Sequence, residues 1–392
     1  MKFASFTGAL FALLLSTAAL AETPTVTALR VPDSGIHPQV TADDSGTIHL
    51  VYFKGDAAHG DLFYVRSTNN GETFSKPIRV NSQIGSVLVT GTVRGPQIAV
   101  GKGRRPHVIW MGSTTATARV PGTGGHGTPL LYTRLDDSGS KFEPERNVIA
   151  THVGLDGGLS IAADNAGNVY AVWHAPEIGK DDEASRRVWV SRSMDDGEHF
   201  APEVAANSAS TGACGCCGIR AFCDRDGALY VSYRSAREMV NRDMYLLTSR
   251  DYGKTFHSIK LDDMKMGMCV MSTTAIAAAP MQSGKVLAAW ETMSRVFFAT
   301  INPASDTPVR PLPALNEDKM SKHPALAANA SGQILLTWTE GTGWQKGGSV
   351  AWQVFDSSQR PLPGATGHAA GLEPWSVSAA FVKSDGSFVI LY

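Results

Sequence analysis

The chain has 392 residues and a formal net charge of −1 at pH 7, from 35 basic and 36 acidic side chains. This balance gives no electrostatic basis for binding nucleic acid or an anionic membrane, because both require a surplus of positive charge. Charged residues make up only 18% of the chain, whereas 39 glycines and 20 prolines are typical of a turn-rich β protein. A hydrophobic content of 43% excludes a disordered chain.

The N-terminus has the pattern of a secretory signal peptide. Lys2 supplies a positive charge, an apolar run covers residues 9–15, and Ala19-Leu20-Ala21 forms a small-x-small cleavage site. The apolar run is too short to span a bilayer, and no other stretch is long enough. We therefore expect a signal peptide over residues 1–21, cleavage after Ala21, no membrane span, and a periplasmic or secreted protein over residues 22–392.

One pattern recurs seven times along the chain: a short apolar strand, a polar turn with glycine, and a second strand that ends on an aromatic residue. The closing aromatics are Tyr52, Trp110, Trp173, Tyr233, Trp290, Trp338 and Tyr392. They follow one another at roughly 50 to 60 residues, a period that with alternating apolar residues predicts strand-rich repeats.

A second motif, Ser-x-Asp/Asn-x-Gly-x-x-aromatic, follows several of these hairpins. Good copies start at Ser67, Ser193 and Ser249, and a degenerate copy covers residues 135–142. The carboxylate or amide can accept hydrogen bonds from turn N–H groups, the glycine takes the left-handed conformation, and the aromatic packs beneath the turn. We interpret these residues as structural.

With these two motifs the chain resembles the sialidase (BNR/Asp-box) superfamily of β-propellers over nearly all of residues 22–392. It looks especially similar to uncharacterised bacterial sialidase-like proteins with a Cys-x-Cys-Cys segment. The resemblance implies an all-β fold, a single propeller of four-stranded blades. Seven hairpins predict seven blades, with six, as in sialidases, as the alternative. The seventh hairpin lacks outer strands, and we expect residues 25–31 to complete it and close the ring.

Strand direction predicts which face of the propeller binds ligands. In an antiparallel blade, the start of the first strand and the end of the second lie on one face, and the Asp-box turns lie on the other. The long connections also belong to the first face: residues 112–130, 147–157, 175–187, 206–217 and 259–272. Long loops on a rigid scaffold commonly carry function, so we expect a ligand there.

The resemblance implies sialidase chemistry, with arginines for the substrate carboxylate, a tyrosine–glutamate nucleophile pair and an aspartate acid/base. Arg94 and Arg234 could bind the carboxylate, and Asp156 and Glu291 could act in catalysis. The family's first-blade Arg-Ile-Pro is absent, because the sequence there is Gly-Ile-His-Pro over residues 35–38. No tyrosine stands in a nucleophile context, so an exo-α-sialidase-type glycoside hydrolase is the alternative and not the preferred function.

Four of the five cysteines fall in two loops of the predicted ligand face. Cys214, Cys216 and Cys217 precede the fourth hairpin, and Cys269 lies in a methionine-rich segment with Met268 and Met271. Thiolates and thioethers are soft donors that select Cu(I), and methionine is a poor zinc ligand. These residues predict a soft-metal site, with copper as the candidate cofactor, in a non-hydrolytic binding protein.

Two disulfides among the same four cysteines remain the other interpretation, since an oxidising compartment favours them. The protein would then be a stapled scaffold that binds a glycan or another protein. Three histidines at strand ends of the ligand face, His37, His174 and His323, are further ligands or rim residues. Cys223, inside the first strand of the fourth hairpin, is expected to be a buried thiol.

Overall fold

The computed structural model describes Met1 and residues 24–124, 127–305, 307–315 and 320–392. The predicted signal peptide up to Ala21 lies outside the described residues, apart from Met1. In the part of the chain that is described, no helix is long and apolar enough to cross a membrane. Helical structure there consists of four short 3-10 turns: Pro32–Ser34, Lys102–Arg104, Glu183–Ser185 and Ala209–Thr211.

The strands form seven sheets, six with four strands and a seventh with three. In blades 1 to 6 the strands follow chain order and are called A, B, C and D. Blade 1 contains Ile36–Ala42, Ile48–Lys54, Asp61–Ser67 and Ile78–Arg79; blade 2, Gln97–Val100, Pro106–Met111, Leu130–Arg134 and Arg146–Asn147; blade 3, Leu159–Ala163, Val169–Pro176, Arg186–Ser193 and Val204–Ala205; blade 4, Arg220–Cys223, Leu229–Arg234, Met244–Ser249 and His257–Asp262; blade 5, Ala275–Ala278, Val286–Thr292, Arg295–Ile301 and Leu312–Pro313; and blade 6, Ser321–Ala328, Ile334–Glu340, Gly348–Phe355 and Pro361–Leu372.

The seventh blade joins the two ends of the chain. Its strands are Ala379–Val382, Phe388–Leu391 and the N-terminal Val26–Leu29, which pairs in parallel with Phe388–Leu391. The backbone N–H of Val31 also donates to the carbonyl of Tyr392 at 3.1 Å. The predictions of seven blades and of closure by the N-terminal segment are therefore confirmed, and the six-blade alternative is wrong.

The core lies between neighbouring blades rather than in one central cluster. Each strand B is covered on both faces by adjacent blades, so it is apolar nearly throughout, as in Val169–Trp173, where every residue is fully buried. The aromatics that close these strands, among them Trp110 and Trp290, are also fully buried. The aromatic signal in the sequence therefore comes from inter-blade packing.

The strand register separates the two faces of the propeller. In blade 4, Arg220 pairs with Ser232 and Cys223 with Leu229, which in turn pairs with Ser249 of strand C. The turn that follows Ser249 therefore lies at the end of the blade where strand A finishes. The Cys-rich loop precedes strand A and lies at the opposite end, which confirms the predicted separation.

The Ser-x-Asp-x-Gly turns have the geometry that the motif predicted. At Ser249 the hydroxyl accepts from the Gly253 N–H at 2.8 Å, and Asp251 accepts from the Thr255 N–H at 2.9 Å. Hydrogen bonds from Thr255 hold the pKa of Asp251 well below its ordinary value. Gly253 has φ +77°, a conformation that glycine adopts without strain. These groups are fully engaged within the turn.

Candidate metal centre and its surroundings

Three sulfur atoms converge in the loop before strand A of blade 4. The Cys214 Sγ lies 3.5 Å from that of Cys216 and 3.1 Å from that of Cys217. All three sulfurs lie within 4.8 Å of one another, and all three side chains are buried. All five cysteines of the chain, which the structure describes, have free thiols. The loop thus presents three soft donors to one point.

Backbone hydrogen bonds to neighbouring blades hold this loop in place. The N–H of Cys214 donates to the carbonyl of Arg234 at 2.9 Å, and the N–H of Gly218 donates to Ser272 at 2.9 Å. A tight turn joins the Cys217 N–H to the Cys214 carbonyl at 3.3 Å. Close approach to blade 3 requires glycine at position 158, where a Cβ would lie 2.6 Å from the Cys217 carbonyl oxygen.

The methionine-rich loop meets the three cysteines from blade 5. The exposed Cys269 and the backbone N–H of Met271 lie close enough to Cys216 to lower the pKa of its thiol. Met271 and Met266 also pack against the buried cluster of Cys214, Cys216, Cys217, Met264 and Val270.

The side chain of Met268 lies away from the cysteines, unlike the sequence-based prediction that it belongs to the metal site. It is 67% exposed and does not pack against that cluster, because the loop around Gly267 to Cys269 turns outwards.

Cys223 lies apart from these residues, as expected. It sits at the far end of strand A, where it lines a cavity at the opposite mouth of the central channel with Phe222 and Asp224. It is partly rather than fully covered, and burial raises the pKa of its thiol well above the ordinary value. It therefore serves as a control cysteine that is remote from the cluster.

The three neighbouring thiols shift one another's pKa values in opposite directions. Hydrogen bonds from Cys214 and Cys217 hold the pKa of Cys216 far below its ordinary range. The reciprocal bond to Cys216 raises the pKa of Cys214, and burial raises the pKa of Cys217 to about 12. Burial likewise raises the pKa of Cys269 to about 11. Of the three thiols, Cys216 is therefore the one whose thiolate form its neighbours favour most.

We expect reduced, metal-free protein at about pH 6 to carry about one thiolate per chain, where a free cysteine with a pKa near 8.5 would be protonated. The ultraviolet absorbance of the thiolate measures it. Cys216→Ser is expected to remove this absorbance, and Cys223→Ser to keep it. An absorbance that first appears above about pH 8 in the unmodified protein would contradict a shared thiolate.

Buried arginines surround the thiols. Arg242 pairs through Nη2 with Glu183 at 2.5 Å, while its buried Nε and Nη1 have no acceptor among the described residues. Its charge acts on Cys214 and Cys216, and the charge of Arg234 lowers the pKa of Cys217. A positive field of this kind favours thiolates over thiols. No feature of the sequence distinguishes Arg242 from Arg237, the other arginine of its loop.

The four candidate hydrolase residues lie on the same face as the cysteines but form two ion pairs. Arg94 binds Asp156 through Nη2 at 2.7 Å and donates from Nε to its carbonyl at 2.6 Å. Arg234 and Glu291 are 3.4 Å apart and almost fully buried. Burial raises the pKa of Glu291, against the effect of Arg234. Each predicted carboxylate-binding arginine is thus occupied by a predicted catalytic carboxylate.

His174 supports the cysteine loop rather than facing it as a ligand. Its Nε2 lies 2.9 Å from the Gly158 N and 3.3 Å from the Cys217 carbonyl oxygen, and its Nδ1 lies 3.5 Å from Arg186. Both ring nitrogens are therefore engaged. Burial lowers its pKa to about 4, so the ring is neutral near neutral pH.

His37 and His323 occupy equivalent bulges at the starts of two A strands. Both have positive φ, +53° and +51°, and both are buried. His323 accepts through Nδ1 from the Thr273 N–H at 3.3 Å. Burial lowers the pKa of each ring to about 3. Within the described residues, the only group of three or more His, Cys, Asp or Glu side chains whose ligand atoms all lie within 4.8 Å of one another is Cys214, Cys216 and Cys217, so neither histidine joins it.

A small pocket of about 100 Å³ opens beside Cys269. Its walls include Met271, His323, Trp344 and Trp375, and the two indole rings meet edge to face with centroids 4.7 Å apart. Trp344 is 60% exposed. Aromatic walls with a few polar groups are typical of small-ligand sites, although the pocket is smaller than the usual several hundred Å³.

Comparisons with known proteins give the fold. No protein-family model matches the chain, and no curated protein is similar to it in sequence. The α-L-arabinanase of Penicillium chrysogenum superposes with a TM-score of 0.55 at 13% identity, over 84% of this chain and 96% of that one. Hadza microbial sialidase Hz136 superposes with a TM-score of 0.51 at 12% identity, over 86% and 74%.

A protein of unknown function from Dyadobacter fermentans is similar to the same degree, with a TM-score of 0.52 and 14% identity over 90% of this chain and 98% of that one. At such identities the likeness concerns the fold, and one fold serves many chemistries. The predicted resemblance to sialidase-like propellers is confirmed at that level.

Proposed function

We propose that this chain, which has the fold of the sialidase and arabinanase propellers, is a non-hydrolytic binding protein. Its residues Cys214, Cys216 and Cys217 hold a soft metal ion. The preferred ion is Cu(I). The observation that carries this proposal is the convergence of three buried sulfurs within 4.8 Å. The predicted signal peptide would place this site in the periplasm or outside the cell.

The sulfur separations suit a shared ion. Two thiolates bound to one metal at about 2.3 Å lie no more than about 4.6 Å apart. The separations from Cys214 to Cys216 and Cys217, 3.5 and 3.1 Å, fall inside this limit, so small rotations of the side chains would suffice. Cys269, which contacts Cys216 from the exposed side, is the candidate fourth donor.

Ligand softness favours Cu(I) over Zn(II). Three thiolates alone would serve either ion, whereas zinc sites usually close with four ligands. The thioether of Met271 packs beside the cluster, and methionine favours copper. The sulfur of Met264 already accepts a hydrogen bond from Arg234 at 3.0 Å, so we assign it a structural role.

The charge around the site suits an anionic complex. Cu(I) with three thiolates carries two negative charges, which Arg242 and Arg234 would offset. Cys214, Cys216 and Cys217 would hold the ion as thiolates, so binding would displace the protons that their thiols carry. Affinity is therefore expected to fall as the pH drops, because protons compete with the ion for the sulfurs.

Metal analysis together with a thiol count tests the proposal. Reduced, metal-free protein is titrated anaerobically with Cu(I) against a chromogenic Cu(I) chelator, and with Zn(II) in parallel. We expect one tightly held Cu(I) per chain and weaker zinc binding. Thiols are counted with and without reductant in the folded protein. Failure to bind Cu(I) above background, or cysteines that resist reduction, would support the disulfide scaffold instead.

We expect no measurable release of sialic acid from a fluorogenic aryl sialoside. Arg94 and Arg234 are each paired with a carboxylate, so neither is free to clamp the carboxylate of a substrate. A sialidase assayed alongside provides the positive control. Turnover that disappears in a folded Glu291→Gln or Arg234→Ala variant would establish the hydrolase alternative.

A further inference from the structure

The central channel contains a guanidinium with no carboxylate partner. Arg220, in strand A of blade 4, reaches across the channel to blades 1 and 2. Its Nη1 donates to the amide oxygen of Gln39 at 2.9 Å and to that of Gln97. Both acceptors are neutral amide oxygens. They satisfy the hydrogen bonds of Nη1 but do not balance the positive charge of the guanidinium.

The rest of this guanidinium has no acceptor. A guanidinium carries five N–H donors, and Nη1 accounts for two of them. Within the described part of the chain, no hydrogen bond or ion pair engages the Nε and Nη2 of Arg220. Burial lowers its pKa to about 10, and no acidic side chain acts in the other direction. Arg220 is half-buried, so part of its side chain reaches the solvent of the channel, but no counter-ion among the described residues balances its charge.

Arg220 is one of the residues that line a cavity of about 20 Å³. Its wall includes the polar side chains of His37, Gln39, Gln97 and Arg220 together with threonine and serine hydroxyls, and no acidic residue is among the described lining residues. The Nε2 of His37 is buried and has no partner among the described residues. A cavity of this size holds about one water-sized particle, which leaves no space for a phosphate or a sugar.

We propose that this cavity is a halide site, in which one chloride ion accepts hydrogen bonds from Nε and Nη2 of Arg220. The Nε2–H tautomer of His37 would supply a further donor. A water molecule could satisfy the same N–H groups but would leave the charge unbalanced. The ion would link blade 4 to blades 1 and 2 across the channel, so it stabilises the ring. The site is separate from the cysteine cluster and does not depend on metal binding.

Thermal unfolding of the full mature chain tests the site. Reduced, metal-free protein is unfolded in sodium gluconate, and gluconate is replaced stepwise by chloride or bromide at constant ionic strength. We expect a saturable rise in Tm of roughly 1–3 °C, as for a ligand that binds only the folded state. Crystals grown in bromide are expected to show an anomalous peak within hydrogen-bonding distance of Arg220.

A matched pair of arginine variants locates the effect. Arg220→Gln is expected to lose the halide response, while Arg104→Gln keeps it, because Arg104 lies at the opposite mouth and pairs with Asp44. If Arg220→Gln does not fold, the bromide peak in the unmodified protein decides. A Tm that is the same in gluconate and halide, with no bromide at Arg220, would overturn the proposal and assign water to the cavity.

Discussion

Replacing Cys216 and Cys217 together by serine is expected to abolish tight Cu(I) binding. The double variant loses two of the three buried sulfurs that converge on one point. The loss should exceed the roughly 10- to 100-fold that follows removal of an outer partner of a metal ligand. Competition with a chromogenic chelator under reducing conditions measures it.

Three further variants test how much the neighbouring residues contribute to Cu(I) binding. Cys269→Ser with Met271→Leu changes the second loop alone and should weaken binding without abolishing it, since the three buried sulfurs remain. Arg242→Met should cost about 10- to 100-fold through loss of the positive field around the thiolates. Cys223→Ser is the control and should bind as the unmodified protein does. Equal affinity of the double serine variant and the Cys223→Ser control would place the copper elsewhere.

Arg234→Met is expected to destabilise the metal-free fold by about 3–5 kcal/mol, the usual cost of breaking a buried ion pair. It removes the paired charge of the buried Glu291, which keeps only the hydrogen bond from the Ser294 N–H and the charge of Lys322, and it removes the hydrogen bond to Met264. Arg94→Met is the matched control. Its partner Asp156 has a 42% exposed side chain, and a pair of this kind contributes about 0–1 kcal/mol. Urea unfolding measures both.

The pH dependence of this loss has a defined sign. Burial already raises the pKa of Glu291 in the folded state, and removal of Arg234 would raise it further. A carboxyl whose pKa is higher in the folded than in the unfolded state costs nothing once both states are protonated. Its cost grows as the pH rises from the unfolded pKa through the folded one. We expect Arg234→Met to be closer to the unmodified protein at about pH 4 than at pH 8. A loss that is larger at the acidic pH would contradict this account of Glu291.

The sequence by itself determined the architecture. Alternating apolar residues, turn glycines and closing aromatics such as Trp173 repeat within short segments, and each segment encodes one hairpin of a blade. Seven such segments predicted seven blades, and the unfinished last hairpin predicted that the N-terminal strand closes the ring. Strand direction then placed the cysteine loop opposite the turn at Ser249, because an antiparallel blade leaves no other arrangement.

Only the tertiary structure decided how the side chains are used. Arg94 pairs with Asp156, 62 residues away, and Arg234 with Glu291, 57 residues away, because packing brings consecutive blades side by side. No local pattern carries such information between separate repeats.

Tertiary packing also decided how side chains are placed in the methionine-rich loop and in the central channel. Met268 faces solvent, whereas Met271, three residues later, packs on the cysteines, because the loop turns between them. Arg220 reaches across the channel to Gln39 and Gln97 because seven inner strands meet around one axis. Each repeat in the sequence determines one blade. Which charged side chains meet depends on how the blades pack into a ring, and the ring forms only when all seven blades have packed.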